Sequence, residues 1–537
     1  MPLTRTVLEV AGTHPDQRAI VGADGSLTYA ELVEDSRRLF AAVDTLHRAQ
    51  ATPPTPAPET RGIPITATCI TSAFHTARVI GGLAGFRAVS AVIDPRWPLE
   101  HRVGVVLTTG IGLVIVDDGD TEFADALAAR GWTGTVIGLS RLRALEQETA
   151  PAPPPTVRED DEAFLMLFSS GTTSAPKAFL KTRQQYRANV AVSAAHLEPF
   201  PGVATLAPGP VSYSLTLYAV IESLATGGSI HLADAFDPLE DARRIEAERI
   251  TRIVAVPAVA RALSDVARRD PMRLAGLDLV VVGGANLPAA IRDGLSAALP
   301  QVRLISYYGA AEIGFIGDSR EGDGTRISLY DGIEAEIREP AGNNPAGNNP
   351  AGNAPTGSDR ADLPVPEGEL GEVWIHAAAC SDDYLAGTTD EHLQGEGGWA
   401  TVHDQGRLVD GKLELVGRAG DIVVSGGHKV ALTEVERAFE DLPGAPAVCA
   451  VAVPAARLGS IVVLVLEHPR DNDPTGTAAT GDALTKDALR SHGRAHLAPQ
   501  FVPRRFYLMD SLPRTVGGKI RRSEVTDLLA HGRGTRL

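Results

Sequence analysis

The stretch FSSGTTSAPK, Phe168 to Lys177, follows the apolar run AFLML and crowds hydroxyl side chains, one glycine and one lysine into a short loop. An apolar run that empties into such a loop reads as a strand ending at a phosphate cradle. Gly171 leaves the backbone amides unobstructed, the neighbouring hydroxyls can donate to phosphate oxygens, and Lys177 supplies positive charge. The loop is not a Walker motif: Pro176 precedes the lysine and Ala178 follows it, so the magnesium-binding hydroxyl of a GK[ST] ending is missing.

Outward from this loop, strand-like runs alternate with helical patterns. LDLVVVGG (Leu277 to Gly284) reads as a buried strand, PAAIRDGLSAAL as a helix opened by Pro288, and VRLISYYG as the next strand. The same alternation runs through GGSIHLAD, DPLEDARRIEAER and ITRIVAVP. Such patterning predicts an α/β fold with largely buried sheets. From about Arg418 the character changes: the short strands GKLELVGR and DIVVSGG lead into a helix TEVERAFEDL, which predicts a smaller α+β domain. At 537 residues the chain exceeds one ordinary core, so two or more domains are expected. Two stretches read as surface excursions. One is ATPPTPAPET (Ala51 to Thr60); the other is the repeated pentapeptide that starts PAGNNPAGNNPAGN at Pro340 and fills a Pro/Gly/Asn-rich insert at about 340–366, which has nothing apolar to bury.

Lys and Arg number 50 against 67 Asp and Glu, a net charge of -17. That balance repels phosphate backbones and anionic lipid, so no nucleic acid or membrane partner is expected, although a local basic spot can still take a small anion. Cys69, Cys380 and Cys449 are odd in number and far apart, which suits a reducing cytoplasm. The first residues lack a secretory apolar region, and no apolar run is long enough to span a membrane.

The loop resembles the [ST]SGTTGxPK phosphate loop of the adenylate-forming superfamily: acyl-CoA synthetases, luciferase and peptide-synthetase adenylation domains. Further stretches similar to that family follow in order. AVIDPRWPLEHR (Ala91 to Arg102) resembles its early Asp-Pro-x-x-Pro segment; Gly283, Gly284 and Ala285, then YYGAAE (Tyr307 to Glu312), resemble the adenine-side strand and the YGxTE loop. GWATVHDQGRLVDGKLELVGRAGDIVVSGGHKV resembles the ribose aspartate, hinge and C-domain entry, and PRTVGGKIRR (Pro513 to Arg522) resembles the C-terminal lysine loop. The resemblance spans nearly the whole chain and is strongest to acyl- and aryl-CoA ligases.

That resemblance implies a large, multi-subdomain N-terminal adenylation domain (1–417), a hinge (418–421) and a small mobile α+β lid (422–537). It implies activation of a carboxylic acid by ATP and Mg²⁺ to an acyl-AMP, with pyrophosphate released and CoA as the acceptor. By analogy Lys519 bridges the substrate carboxylate and the α-phosphate, and Glu312 positions the metal. Ser169, Ser170, Gly171, Thr172, Thr173 and Lys177 handle phosphates. Asp404 accepts from the ribose with Arg418 beside it, Tyr307, Tyr308 and Gly309 flank the adenine, and Gly426 and Gly427 enter the CoA tunnel. Thr172 and Arg418 join Lys519 and Glu312 as the catalytic set. Alone, Asp404 in a turn and Lys519 on a basic tail are ordinary surface residues; the ordered set gives them meaning. His492 and His496 could place two imidazoles on one helix face, but no third zinc ligand is evident.

The substrate pocket falls to Ser212, Tyr213 and Ser214, with Ala285 and Gly309. Nothing charged within LAPGPVSYSLTLY would receive an amino group, so a hydrophobic acid (fatty, aryl or bulky polycyclic) is expected. Four departures from the family pattern stand out: Ser174 replaces a loop glycine, Ala311 the YGxTE threonine, His403 the glycine of TGD, and Gly420 the acidic or basic hinge residue. Because Gly420 supplies no side chain to favour either domain state, adenylation alone is an alternative, with the acyl-AMP passed to a separate enzyme, an amine or a carrier protein. Luciferase-like oxygenation and a degenerate nucleotide-binding sensor or scaffold are further readings; retention of Glu312, Asp404, Arg418 and Lys519 argues against the last.

Overall fold

The computed structural model describes residues 2–169, 176–285, 287–322, 324–339, 364–418, 421–425, 428–440, 442, 447–455, 459–468, 485–497, 499, 501–514 and 519–537. The chain forms two compact units: Met1–Ala335 with Ile375–Val402, and Glu336–Trp374 with His403–Leu537. It is a mixed α/β protein, as the strand and helix alternation predicts.

Two sheets organise the first unit. In one, the strands run in spatial order Thr135–Gly138, Leu113–Val116, Ile65–Cys69, Val89–Val92, Ala163–Ser169 and Lys177–Thr182. The first five are parallel and the last is antiparallel. ITATC and VSAV are buried along their whole lengths, as strands covered on both faces must be. In the other sheet, Arg18–Gly22, Ser229–Leu232, Ala204–Ala207, Arg252–Ala255, Leu279–Val282 and Arg303–Ala310 lie parallel. Gly314–Ser319 then turns back antiparallel to the last of them. Helix Ala289–Ala298 begins just after Pro288, as the sequence indicates. The Ala51 to Thr60 excursion is irregular apart from a 3-10 turn at Pro58–Thr60, and residues 340–363 of the repeat insert lie outside the described residues.

Helix starts are fixed locally. Thr182 ends its strand and caps helix Arg183–His196 in a capping box with Gln185, so the chain leaves the sheet at a defined angle. Helices on the first sheet are joined by a buried charge cluster. Arg78 Nε donates to Asp35 (2.6 Å) and Nη2 to Glu146 (2.6 Å), while Arg143 reaches both carboxylates. The Arg78 and Glu146 side chains are each 1% exposed.

In the second unit, the start of strand Gly371–His376, through Gly371 and Glu372, joins Asp404–Val409 and Lys412–Arg418 in an antiparallel run. A second sheet contains Ile422–Ser425, His428–Ala431, Val448–Ala455, Gly459–Glu467, Arg505–Met509 and Thr535–Arg536. Helix Leu432–Glu440 packs Val435 and Phe439 into its core with Leu464 and Phe506. Helix Lys486–His496 tolerates Gly493 because a Cβ there would sit 3.0 Å from the Phe439 ring.

Removing one member of a buried ion pair strands the other. Arg78→Met is expected to cost about 3–5 kcal/mol, read as a lowered urea midpoint. Arg78→Met combined with Glu146→Leu, which removes the stranded charge, is expected to recover part of that loss.

Candidate active site

The two arms of the phosphate-loop hairpin are Ala163–Ser169 and Lys177–Thr182, and their last register pair is Ser169 with Lys177. Ser170, Gly171, Thr172, Thr173 and Ser174, between the arms, lie outside the described residues. The Ser169 hydroxyl is buried and, among the described residues, has no hydrogen-bond partner, a donor left over at the root of the loop. Lys177 pairs with Glu391, and its ammonium lies 5.2 Å from the centre of the Tyr384 ring.

Glu312 is 6% exposed, and its Oε1 accepts from the Tyr384 hydroxyl at 3.0 Å. Its backbone carbonyl accepts from the Lys181 ammonium at 2.7 Å and from Ser381 N–H at 2.9 Å. The same ammonium donates to the Ala379 carbonyl at 2.6 Å. Lys181 is 2% exposed, and burial lowers its pKa to about 8 against the opposing pull of Cys380, Glu312 and Asp382. From the opposite side the Tyr218 hydroxyl donates to the Ala311 carbonyl at 2.7 Å. The strand leaving the phosphate loop and the YYGAAE loop are thereby held in one hydrogen-bonded frame. The sequence reading named Glu312 and Lys177 but missed Tyr384, Glu391, Tyr218 and Lys181. Only Lys181 left a signal: a lysine inside the otherwise apolar KAFLKT strand must find buried acceptors.

The strand Leu279–Val282 ends at Gly283, which is buried, and Gly284, which turns with φ +79. Gly283 is required by close approach, because a Cβ there would run into the Tyr307 ring. Tyr307 packs edge-on against Phe315, with ring centres 4.9 Å apart. Ala285 is exposed, and Tyr308 and Gly309 are half-buried at the end of the neighbouring parallel strand.

Ser212, Tyr213 and Ser214 lie together at the start of helix Ser214–Thr226, all half-buried. The Ser212 hydroxyl donates to Asp94 at 3.0 Å. Arg96 grips the same carboxylate through Nε (2.9 Å) and Nη2 (2.8 Å). Charge therefore stands beside the pocket stretch, brought from a segment that the sequence reading had not joined to it. Burial opposes ionisation of Asp94, but hydrogen bonds from Arg96 and Ser212 outweigh it and hold the carboxyl below its ordinary value.

The remaining residues belong to the second unit. Asp404 and Arg418 face each other in register across an antiparallel pair, with Arg418 Nε donating to Asp404 Oδ1 at 3.0 Å. Desolvation and the Arg418 guanidinium lower the pKa of Lys519, and Asp404 opposes them. His403 occupies a left-handed conformation with φ +63, and its Nδ1 meets Glu372 at 2.6 Å. Glycine adopts that conformation without strain, which accounts for the family preference there. Arg522, which the sequence reading passed over, ties Glu436 (2.7 and 2.8 Å), Asp421 and the Ala450 carbonyl (2.9 Å) together three residues beyond Lys519. Gly420, Gly426 and Gly427 lie outside the described residues. His492 Nε2 is engaged by the Ala438 carbonyl at 2.7 Å, and His496 Nδ1 by the His492 carbonyl at 2.9 Å. Among the described residues no cluster of three or more His, Cys, Asp or Glu could hold a metal by itself.

Lys181 makes a pH test of this frame. Unfolded, it titrates near 10.5; folded, near 8. Between those values the unfolded chain keeps a proton that the folded chain has lost, so stability rises with pH across the window. Relative to Lys181→Met, the native protein is expected to gain about 2 kcal/mol from pH 8 to pH 10, measured by denaturant unfolding.

The model of the AMP-binding enzyme family matches residues 75–385, and that of the AMP-binding enzyme C-terminal domain matches residues 434–519. The uncharacterized acyl-CoA ligase YhfT of Bacillus subtilis (strain 168) is 24% identical over 534 residues, 98% of each chain. Feruloyl-CoA synthase of an Amycolatopsis species is 26% identical over 452 residues, 80% of this chain and 82% of that protein. ATP-bound MatB from Rhodopseudomonas palustris shares the fold, with a TM-score of 0.81 over 98% of this chain and 99% of that one at 19% identity. Since the first family match alone covers more than half of the sequence, the chain belongs to the AMP-binding enzyme family, the adenylate-forming enzymes, and is a ligase.

Proposed function

We propose that this enzyme activates a hydrophobic carboxylic acid, fatty, aryl or bulky polycyclic, to its acyl-adenylate and then transfers the acyl group to coenzyme A. ATP-dependent acid adenylation followed by CoA ligation is the activity of the family. The observation that carries the reading is the frame in which Lys181 and Tyr384 hold Glu312 against the strand leaving the phosphate loop. It supports a metal and phosphate site because Mg²⁺ is commonly held by one or two carboxylates together with substrate phosphates. The unpartnered Ser169 hydroxyl and the close backbone at Gly283 fit the same ligand.

In the first half-reaction a carboxylate oxygen attacks the α-phosphorus, the bond to the β-phosphate breaks, and pyrophosphate leaves. Two anions meet, so charge compensation dominates the barrier. Glu312 is assigned to hold Mg²⁺, which when bound would offset the phosphate charge. Lys177, Thr172 and Thr173 take the departing phosphates; Lys519 offsets charge where the carboxylate meets the α-phosphate. Asp404 and Arg418 are assigned to the ribose, and Tyr308 to the adenine face. In the second half-reaction the CoA sulfur attacks the acyl carbon, the carbon–oxygen bond to AMP breaks, and the thiol proton passes to solvent. The proposal keeps 1–417 as adenylation domain, 418–421 as hinge and 422–537 as lid, with Gly420 the pivot and Gly426 and Gly427 at the CoA tunnel. A cytoplasmic setting belongs to the same reading; among the described residues no helix is long and apolar enough to cross a membrane.

Acid-dependent exchange of labelled pyrophosphate into ATP, followed by thioester formation, tests the proposal. A panel of fatty, aryl and polycyclic acids is expected to include substrates, and the common amino acids are not. Lys519→Ala is expected to lower exchange at least a hundredfold, on the order of 3 kcal/mol of transition-state stabilisation. Exchange without thioester would confine the enzyme to adenylation with another acceptor; no exchange with any acid would end the proposal.

A further inference from the structure

In the first unit, parallel strands of both sheets send their carboxyl ends toward one cavity of about 60 Å³. Its walls come from the residues that follow four strands: Ile70 after Ile65–Cys69, Ile93 and Arg96 after Val89–Val92, Val211 and Ser212 after Ala204–Ala207, and Asp234 after Ser229–Leu232. Crevices at the carboxyl ends of parallel strands are the usual ligand sites of α/β folds. The space is several times the roughly 10–15 Å³ that a water-sized group needs. It also lies next to the phosphate loop's root, because Trp97, adjacent to Arg96, packs edge-on against Phe168 at 5.8 Å.

The polar groups here are built. Asp94 is 1% exposed and takes donors from Arg96 Nε, Nη2 and backbone N–H and from the Ser212 hydroxyl. That fork orients the guanidinium, and among the described residues its Nη1 makes no hydrogen bond. Asp234, an exposed residue that also lines the cavity, accepts from the Ala73 N–H through Oδ1 at 2.7 Å, and among the described residues its other oxygen makes no hydrogen bond. Arg96 and Asp234, both exposed at the rim, thus offer a donor and an acceptor beside a space also lined by Ile70, Ile93 and Val211.

We infer that this cavity receives a hydroxyl group carried by the body of the acid substrate, donating to Asp234 and accepting from Arg96. The assignment rests on the adenylation reading and deepens it by naming the substrate class, a hydroxylated hydrophobic acid. Charge decides against a second carboxylate: the one guanidinium is already neutralised by Asp94, and Asp234 would repel the newcomer. A neutral hydroxyl satisfies both free groups at once.

The test compares matched acids in pyrophosphate exchange: 4-hydroxycinnamate with cinnamate, 4-hydroxybenzoate with benzoate, ω-hydroxy with plain fatty acids, and the corresponding α,ω-dicarboxylates. The native enzyme is expected to favour the hydroxylated member of at least one pair tenfold or more in kcat/KM. Arg96→Met should erase that preference, raising KM for the hydroxylated acid more than for the plain one, and Asp234→Asn, which spares the Asp94 fork, should reduce it. Equal or better use of the plain acids throughout, a preference for dicarboxylates, or an Arg96→Met loss shared equally by both members would overturn the inference. Because the native preference is read without any variant, a misfolded Arg96→Met leaves the question decidable. Absence of exchange with every acid would instead overturn the adenylation reading itself.

Discussion

A buried ammonium held between two backbone carbonyls is the constraint on which the candidate site depends. Taking a lysine out of water is unfavourable unless its protons are satisfied, and Lys181 meets that demand at Glu312 and Ala379. It sits on the return arm of the phosphate-loop hairpin, so satisfying it fixes that arm to the loop that carries the acidic residue. Tyr384 and Tyr218 complete the frame from the carboxylate and from the neighbouring carbonyl. Precise placement of an acid near a phosphate loop therefore follows from burial, not from the loop sequence alone.

The second unit uses charge differently. Asp404 and Arg418 are paired by strand register, which orients the carboxylate that we propose meets the ribose. Arg522, three residues after Lys519 in sequence, gathers an aspartate at the end of the proposed hinge, a helix glutamate and a strand carbonyl. That arrangement anchors the start of helix Arg522–Ala530 to the elements around it. His403 carries the opposite kind of cost, a left-handed backbone at a position where glycine would be unstrained, offset by its contact with Glu372.

The fold was legible because parallel buried strands write themselves as continuous apolar runs. LDLVVVGG, GGSIHLAD and ITRIVAVP each contain the strand that they suggest. Glu312, Asp404 and Lys519 were named only through resemblance, since nothing in their immediate sequence neighbours singles them out. Tyr384, Glu391 and Tyr218 were not, because a side chain acting across some seventy to two hundred residues leaves no period or spacing in the sequence. Arg96 was hidden for the same reason: its importance depends on Ser212, contributed from the other sheet. The stretch Phe168 to Lys177 suggests a phosphate loop, but the groups proposed to give it a reaction lie on strands and helices far along the chain.

The central claim is that a carboxylate oxygen becomes bonded to the α-phosphorus of ATP. It is tested most directly by supplying an accepted acid labelled with oxygen-18 in its carboxylate, trapping the acyl group with hydroxylamine, and weighing the nucleotide product. Adenylation requires AMP bearing one labelled oxygen in its phosphate, because the acyl carbon–oxygen bond is the one that breaks on transfer. Unlabelled AMP, or ADP with inorganic phosphate, would contradict the account.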